Sequence, residues 1–337
     1  MRWTLGKRVS IHDIAREADV SITTVSHALN GKGRIPWATR ERVRGVAERL
    51  GYRANLQARG LATGQATMLT VQVGGLQTEA LVPDFQYFVE LLNSASASAL
   101  EYGFGLVLAP AGTDAEALKN LAMGGAIVVD PTGDEALLRQ ADVPVVTTGR
   151  VPGGSADGAW VDNDHRAGTR RVLDHFVQTG RSRPALLTTS ARQSYVDDAV
   201  AEYADWCQER GLEPIVGRVT GSPTEAAAAP VVGELLSRRP RPDAVYTTLD
   251  RMALGAILAC RDRGIAVPGE LGIAAITDSL ALRSTTPPVT ALNLNAPEIG
   301  RMAAELLVAL VRGDDPATTR VVVPAHLVVR ASTSVGS

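Results

Sequence analysis

Apolar residues along the first fifty positions recur at helical spacing in three short bursts. Ile11, Ile14, Ala15 and Ala18 share one face of a short helix. Ser10 stands before it as N-cap, with Asp13 at the capping-box position. The "ADV" at 18–20 makes a tight turn, and Ser21 caps a second helix. There Val25, Ala28 and Leu29 fall at the i, i+3, i+4 spacing that packs on a neighbour. Gly31 is placed for a left-handed C-cap. A third helix from about Pro36 turns Val43, Val46, Ala47 and Leu50 inward, and Gly51 ends it. The other side of the second helix carries Ile22, Thr23, Ser26, His27 and Asn30, short polar groups beside one isoleucine.

From Thr67 onward the pattern changes. Strand-like runs ("MLTVQVGG", "FGLVLAPA", "AIVVD", "PVVTTG") alternate with helical stretches such as "DFQYFVELLNSASASALEYG". This is the rhythm of a doubly wound parallel sheet. It restarts after about Asp164, through "AGTRRVLDHFVQTG", "RPALLTT", "DAVYTT" and "LGIAAITD". Two such lobes in sequence predict a clamshell with a cleft between them.

Charge changes the picture of the first segment. Twelve Lys/Arg against five acids give residues 1–65 a charge of +7, which leaves −9 on the rest of a chain whose net charge is −2. A small basic head on an acidic body points to a polyanionic partner for the head alone. Two short helices joined by a three-residue turn form a helix-turn-helix. Donors and acceptors near the N-terminus of its second helix can read base edges in the major groove, and Ile22 can meet a thymine methyl. An ordinary three-helix core with an inert polar face produces the same local pattern. The chain has 337 residues, 45% of them apolar, enough for more than one domain. No run of about 20 apolar residues predicts a membrane span, and no secretory h-region precedes the first charges. Cys207 and Cys260 lie far apart and read as buried, reduced thiols. A cytoplasmic protein is expected.

The stretch "VSIHDIAREADVSITTVSHALNGKGRIPWATRERVRGVAERLGYRANLQARGLATG" resembles the DNA-binding head of the lactose/galactose repressor family. The family pattern runs roughly V-T-I-x-D-V-A-x-x-A-G-V-S-x-x-T-V-S-x-V-L-N, then T-R-x-R-V and L-G-Y. Asp13, Ala15, Ala18, Val20, Ser21, Thr24, Val25, Ser26, Leu29, Asn30, Thr39, Arg40, Val43, Leu50, Gly51 and Tyr52 match it. The resemblance implies that Ile22, Thr23 and His27 read bases, and that Ser21, Thr24, Ser26, Asn30 and Tyr52 take scaffold or phosphate-contact roles. It also implies a hinge helix over "NLQARGLATG", in which Leu61 wedges into the minor groove beside Ala58 and Arg59. Gly60 stands where the family usually has Ser, and costs that helix roughly 1 kcal/mol relative to Ala.

"GGAIVVDP", "DRMALGAILACRDRGIAVPGELGIAAI" and "TTPPVTALNLNAPEIGRMAAELL" resemble the family's effector domain, which is like the periplasmic sugar-binding proteins. The expected class is a small all-α helix-turn-helix head plus an α/β body of two doubly wound parallel-sheet lobes. The expected bounds are 1–54 for the head, 55–66 for the hinge and 67–337 for the body. Lobe 1 would span about 67–163 and 293–324, lobe 2 about 164–292 and 325–337. By the same resemblance lobe 1 regains a helix near 297–312, and "HLVVRAST" adds a late strand.

No P-loop, G-x-G-x-x-G after a strand, G-x-S-x-G or H-E-x-x-H is present. Neither an enzyme nor a cofactor is expected. "WVDNDH" offers two acids and a histidine to a metal, but reads better as the family's crossover between lobes; no metal site is expected. Where the family places polar ligand-binding residues, this chain has Gly149, Ala199, Leu249, Thr277 and Leu294. Such a cleft suits an effector less polar than a free sugar, whose hydroxyls need partners to replace water. Phe85, Tyr87, Phe88, Trp160 and Tyr195 supply candidate aromatic walls. Arg150, Asp250, Asp278, Asn293 and Asn295 are the polar groups left nearby. The expectation is a repressor that binds a near-palindromic operator as a homodimer under small-molecule control. The alternative is the same regulator with a body that serves only dimerisation or partner binding.

Overall fold

The computed structural model describes residues 9–29, 33–52, 66–74, 86–110, 113, 123–140, 142–154 and 158–334. They belong to two compact units, 1–65 and 66–337. The first holds α1 (Ile11–Glu17), α2 (Ile22–Leu29) and α3 (Trp37–Arg49). Ser10 and Asp13 close the capping box in both directions: Ser10 Oγ accepts from Asp13 N–H at 3.3 Å, and the Asp13 carboxylate accepts from Ser10 N–H at 2.9 Å. Ser21 Oγ likewise accepts from Thr24 N–H at 3.1 Å and starts α2. Ile14, Val25, Ala28, Val43 and Val46 form the buried centre, with Leu29, Leu50 and Tyr52 packed around it. Gly51 ends α3 at a φ of 65°, and Tyr52 N–H reaches back to Ala47 O at 2.9 Å. That is the Schellman closure, which needs a left-handed residue at the glycine.

The turn between α1 and α2 departs from the resemblance. Asp19 stands where the family pattern has glycine, and it holds a φ of 50°. The left-handed region costs an L-residue with a Cβ up to about 1–2 kcal/mol, less for Asp than for most. Asp19→Gly is therefore expected to stabilise the head by a fraction of a kcal/mol, read as a higher urea midpoint of the head's transition. An unchanged or lower midpoint would show that the turn carries no such strain.

The second unit contains two six-stranded sheets. The first is built from β1 (Met68–Val73), β2 (Gly105–Ala109), β3 (Met123–Val129), β4 (Val145–Thr148), β5 (Ala159–Asn163) and β11 (Arg320–Val323), in the order β11-β5-β4-β3-β1-β2, all parallel. The second holds β6 (Pro184–Thr189), β7 (Val216–Val219), β8 (Ala244–Thr247), β9 (Gly272–Ala275), β10 (Thr290–Asn293) and β12 (His326–Val328). Its order is β12-β10-β9-β8-β6-β7, and only the β10–β12 pair is antiparallel. Strands such as β6 and β8 are buried along their whole length, as a sheet covered on both faces requires.

The first sheet carries α4 (Gln86–Glu101), α5 (Ala136–Gln140) and α11 (Ala296–Arg312). The second carries α6 (His165–Gln178), α7 (Ser194–Glu209), α8 (Glu225–Leu236), α9 (Asp250–Asp262) and the short α10 (Leu280–Arg283). The chain passes between sheets three times, after β5, after β10 and after β11. The expected returning helix is α11, packed on α4, and the expected late strand is β12. Cys207 and Cys260 are buried and free.

Gly300 permits the α11–α4 packing. A Cβ built there would stand 2.1 Å from the Leu91 carbonyl oxygen, a backbone atom with little room to give. Gly300→Ala is expected to cost about 1–3 kcal/mol by forcing the helices apart. Urea unfolding of the full chain measures it; a loss below a few tenths of a kcal/mol would show that the two helices separate freely.

Candidate functional site

In the head, α2 turns Val25 and Ala28 inward and leaves Ile22 (42% exposed) and Thr23 facing out. Ser26 and Thr24 are half-buried beside them, and Ser21 Oγ lies 2.8 Å from Thr24 Oγ1. His27 is more enclosed than its place on the helix suggests. Gly33, at a φ of 69°, lies so near that a Cβ there would meet His27 Nδ1 at 2.8 Å. Gly33 thus lies against the histidine. Tyr52 is partly buried at the end of α3. Arg34, Arg40 and Arg42 make no ion pair among the described residues, whereas Arg16, Arg44 and Arg49 each approach an acid. Asn30, Ala58, Arg59 and Leu61 lie outside the described residues.

In the body, the carboxyl ends of the strands are where ligands of open α/β sheets sit. The two sheets meet there. Gln193 Nε2 donates to Asp130 O at 3.3 Å, Arg150 N–H donates to Ser194 Oγ at 3.1 Å, and Leu280 N–H donates to Gln86 Oε1 at 2.7 Å. The Arg150 guanidinium donates to Asp162 Oδ2 at 3.0 Å on its own side and to Asp198 on the other. Asp162 Oδ1 lies 3.1 Å from His165 Nε2. Burial would raise the Asp162 carboxyl, but the hydrogen bonds of His165 and Arg150 outweigh it and hold it below the usual range. Asp198 goes the other way: burial raises it further than Arg150 lowers it.

"WVDNDH" is resolved by this geometry. Asp162 and His165 bond each other, Asn163 Nδ2 donates to Leu294 O and Val323 O, and Asp164 caps α6 through Ala167 N–H at 2.9 Å. The motif ties the crossovers together. No group of three His, Cys, Asp or Glu able to hold a metal occurs among the described residues.

Several of the expected cleft residues come together. Tyr87 starts α4 and packs on apolar clusters of both lobes, with Phe88 edge-on to it at 5.5 Å between ring centres. Tyr195 packs on the same second-lobe cluster, which includes Leu294, and donates its hydroxyl hydrogen to Gln193 Oε1 at 3.0 Å. Asp250 is buried at the start of α9 and raises the Tyr195 hydroxyl, behind burial and Asp130. Leu249 precedes it as N-cap and packs on the neighbouring second-lobe cluster. Thr277 is half-buried just after β9.

Others are engaged elsewhere. Asp278 is held by Arg283 at 3.0 Å and Arg330 at 2.8 Å, so its carboxylate is already neutralised. Trp160 sits near the start of β5, its N–H on Thr319 O, and no described contact joins it to these groups. Ala199 is fully buried within α7, and Phe85 lies outside the described residues. Sequence reasoning missed Asp130, at the end of β3. Burial first, then the Asp162 charge, push its carboxyl up to about 7 against the pull of His165. It also missed Gln86, Gln193, Ser194 and Asp198, which bridge the lobes.

Comparison with known proteins agrees with this layout. Residues 10–55 match the family described as bacterial regulatory proteins, lacI family, and residues 173–333 match a periplasmic binding protein-like domain. The HTH-type transcriptional regulator CelR of Thermobifida fusca is 28% identical over 337 residues, covering 97% of this chain and 98% of the relative. RafR of Escherichia coli, another HTH-type transcriptional regulator, is 29% identical over 325 residues, covering 93% and 95%. Among solved structures, the lac repressor dimer bound to operator and the anti-inducer ONPF superposes with a TM-score of 0.78 at 22% identity, over 98% of this chain and all of that one. The CelR–cellobiose complex gives 0.72 at 27% identity, over 96% of this chain and all of that one. The chain thus carries a lacI-family helix-turn-helix domain and a periplasmic binding protein-like domain, and the relatives it resembles along nearly its whole length are HTH-type transcriptional regulators.

Proposed function

We propose that the protein is a cytoplasmic repressor that binds a near-palindromic operator as a homodimer, and that a small molecule in the inter-lobe cleft controls it. The head over 1–54 lays α2 in the major groove, with Ile22, Thr23 and His27 towards the bases. Ser21, Thr24, Ser26, Asn30 and Tyr52 position it on the backbone. The hinge over 55–66 brings Leu61, with Ala58 and Arg59, to the minor groove at the operator centre. The body over 67–337 supplies dimerisation and the switch, and no catalysis or cofactor enters. A leucine at 100 on α4 and another at 108 on the edge strand β2 are each more than half exposed, which supports a partner surface on lobe 1. An effector would change the lobe contacts of Arg150, Gln193 and Gln86, and with them the dimer and the hinge. Gly149, Leu249, Thr277 and Leu294 leave few neutral partners for hydroxyls, which supports an effector poorer in them than a free hexose.

The observation that carries the reading is an exposed, uncharged α2 face in a head whose Arg34, Arg40 and Arg42 meet no acid among the described residues. Arg34, Arg40 and Arg42 are available to phosphates, and neutralised phosphates release counterions. The logarithm of the operator affinity is expected to fall linearly and steeply with the logarithm of salt concentration. A salt titration of binding to a selected operator checks it; a flat response would remove the phosphate-gripping head.

A further inference from the structure

One carboxyl at the cleft, that of Asp130, goes unanswered among the described residues. The backbone of Asp130 is tied on both sides, its N–H to Thr148 O at 2.8 Å and its carbonyl to Gln193. Its carboxylate takes no hydrogen bond and no ion pair from any described residue. Arg150 is already divided between Asp162 and Asp198. Gly149, with no side chain, leaves methyl-sized room beside Asp130: a Cβ there would stand 3.6 Å from Asp130 Oδ1, 3.5 Å from Ser194 Oγ and 3.6 Å from Pro131 Cδ. Where the resemblance leads one to expect an acid at 149, the strand ends carry theirs at 130 instead.

The surroundings of this carboxylate are aromatic. Burial first, and then the Asp130 charge, raises the hydroxyls of Tyr87 and Tyr195, and Tyr195 also bonds the Gln193 side chain that donates to Asp130 O. A second unsatisfied group lies among the same residues. His165 is 6% exposed, and its Nδ1 has no partner, while Nε2 faces Asp162 and the ring lies 6.0 Å from that of Tyr195. A buried acceptor or donor left unmade is costly, so both groups favour an occupant.

We propose that the cleft binds an organic cation, a small molecule whose protonated amine pairs with Asp130 and whose apolar body lies against Tyr87 and Tyr195. This rests on the reading of the cleft as the effector site. A neutral hydroxyl could donate to Asp130 but would leave the site's charge unbalanced. Among the described residues Asp162 and Asp198 share Arg150, and His165 Nε2 faces Asp162 rather than Asp130. An ammonium both donates and neutralises, and aromatic faces attract it.

Amine binding is expected to tighten from pH 6 to pH 8, because burial and Asp162 hold a proton on Asp130 that the cation displaces. The groups facing Asp130 in that range are Tyr87 from α4, Asp162 from β5, His165 from α6, and Tyr195 and Asp198 from α7. Asp250 from α9 and Arg150 from the β4 end complete the set.

The test uses the full chain, by thermal shift and titration calorimetry, with benzylamine and phenethylamine. Benzyl alcohol and 2-phenylethanol serve as neutral counterparts, and glucose and cellobiose as the sugar arm. The amines should raise the melting temperature and the alcohols should not. Asp130→Asn should weaken amine binding about 10- to 100-fold. Asp130→Ser, which leaves space instead of an amide, should do the same, and the melting temperature of each free variant shows that it is folded. Equal binding of amine and alcohol, or amine binding that survives both substitutions, overturns the proposal. A sugar that binds regardless of Asp130, with the amines silent, overturns the cation and leaves effector control standing. Silence from every probe overturns both.

Discussion

Replacing Ile22 and Thr23 together by alanine is expected to cost about 1–3 kcal/mol of operator affinity for each lost base contact, with little change on unrelated DNA. The two side chains are the most exposed of the outward set on α2, and neither has a role in the head's core. Their loss should leave folding intact, since Val25 and Ala28 on the opposite side carry the packing. The phosphate contacts proposed for Arg34, Arg40 and Arg42 would continue to hold the head on any duplex. His27→Ala is expected to act less, because the imidazole already rests against Gly33 and is less free to reach a base edge. Competition between a selected operator and a scrambled duplex measures the difference. If both affinities fall in parallel, α2 does not read sequence and the base-reading face must be sought elsewhere.

The head and the lobes were legible in the sequence because each rests on periodicity. Ile14, Val25 and Val43 stand at the spacing that a three-helix core dictates, and all three are fully buried. The alternation of apolar runs with helical stretches predicts parallel sheets, and every pair in the first sheet is parallel. The cleft was less legible because its groups come from seven strand ends and helix starts, far apart in the chain. Asp130 follows "AIVV" and reads as the close of a strand; nothing local says that its carboxylate stays unpaired. Asp278 shows the reverse. Its position suggests an available acid, but Arg283 follows five residues later and Arg330 arrives from the end of the chain to occupy it. Ala199, which the resemblance puts at a ligand position, is fully buried within α7, where a ligand would not reach it without opening the lobe core.

Asp130→Asn is expected to stabilise the ligand-free body at pH 8 by roughly 2–4 kcal/mol and to change little at pH 4. An unfolded aspartate loses its proton near pH 3.9, whereas the folded Asp130 keeps it until about 7. Between those values the folded state holds a proton that the unfolded state has released. Stability from this group is therefore complete below the lower value, declines as pH rises, and levels off above about 7. The isosteric amide cannot ionise, so its curve should lack that decline. Asp162 and Asp278 work in the opposite direction: their carboxyls are held below the usual range, so their contribution is present at neutral pH and lost on acidification. The parent chain should consequently be most stable in mildly acidic solution, and the variant should extend that plateau into the alkaline side. Urea unfolding at pH 4, 6 and 8 resolves the two profiles, and superimposable profiles would show that water entering the cleft already solvates the carboxylate. An amine that restores the parent chain at pH 8 towards the stability of Asp130→Asn would link the two results, since the cation would then be supplying the countercharge that the fold withholds.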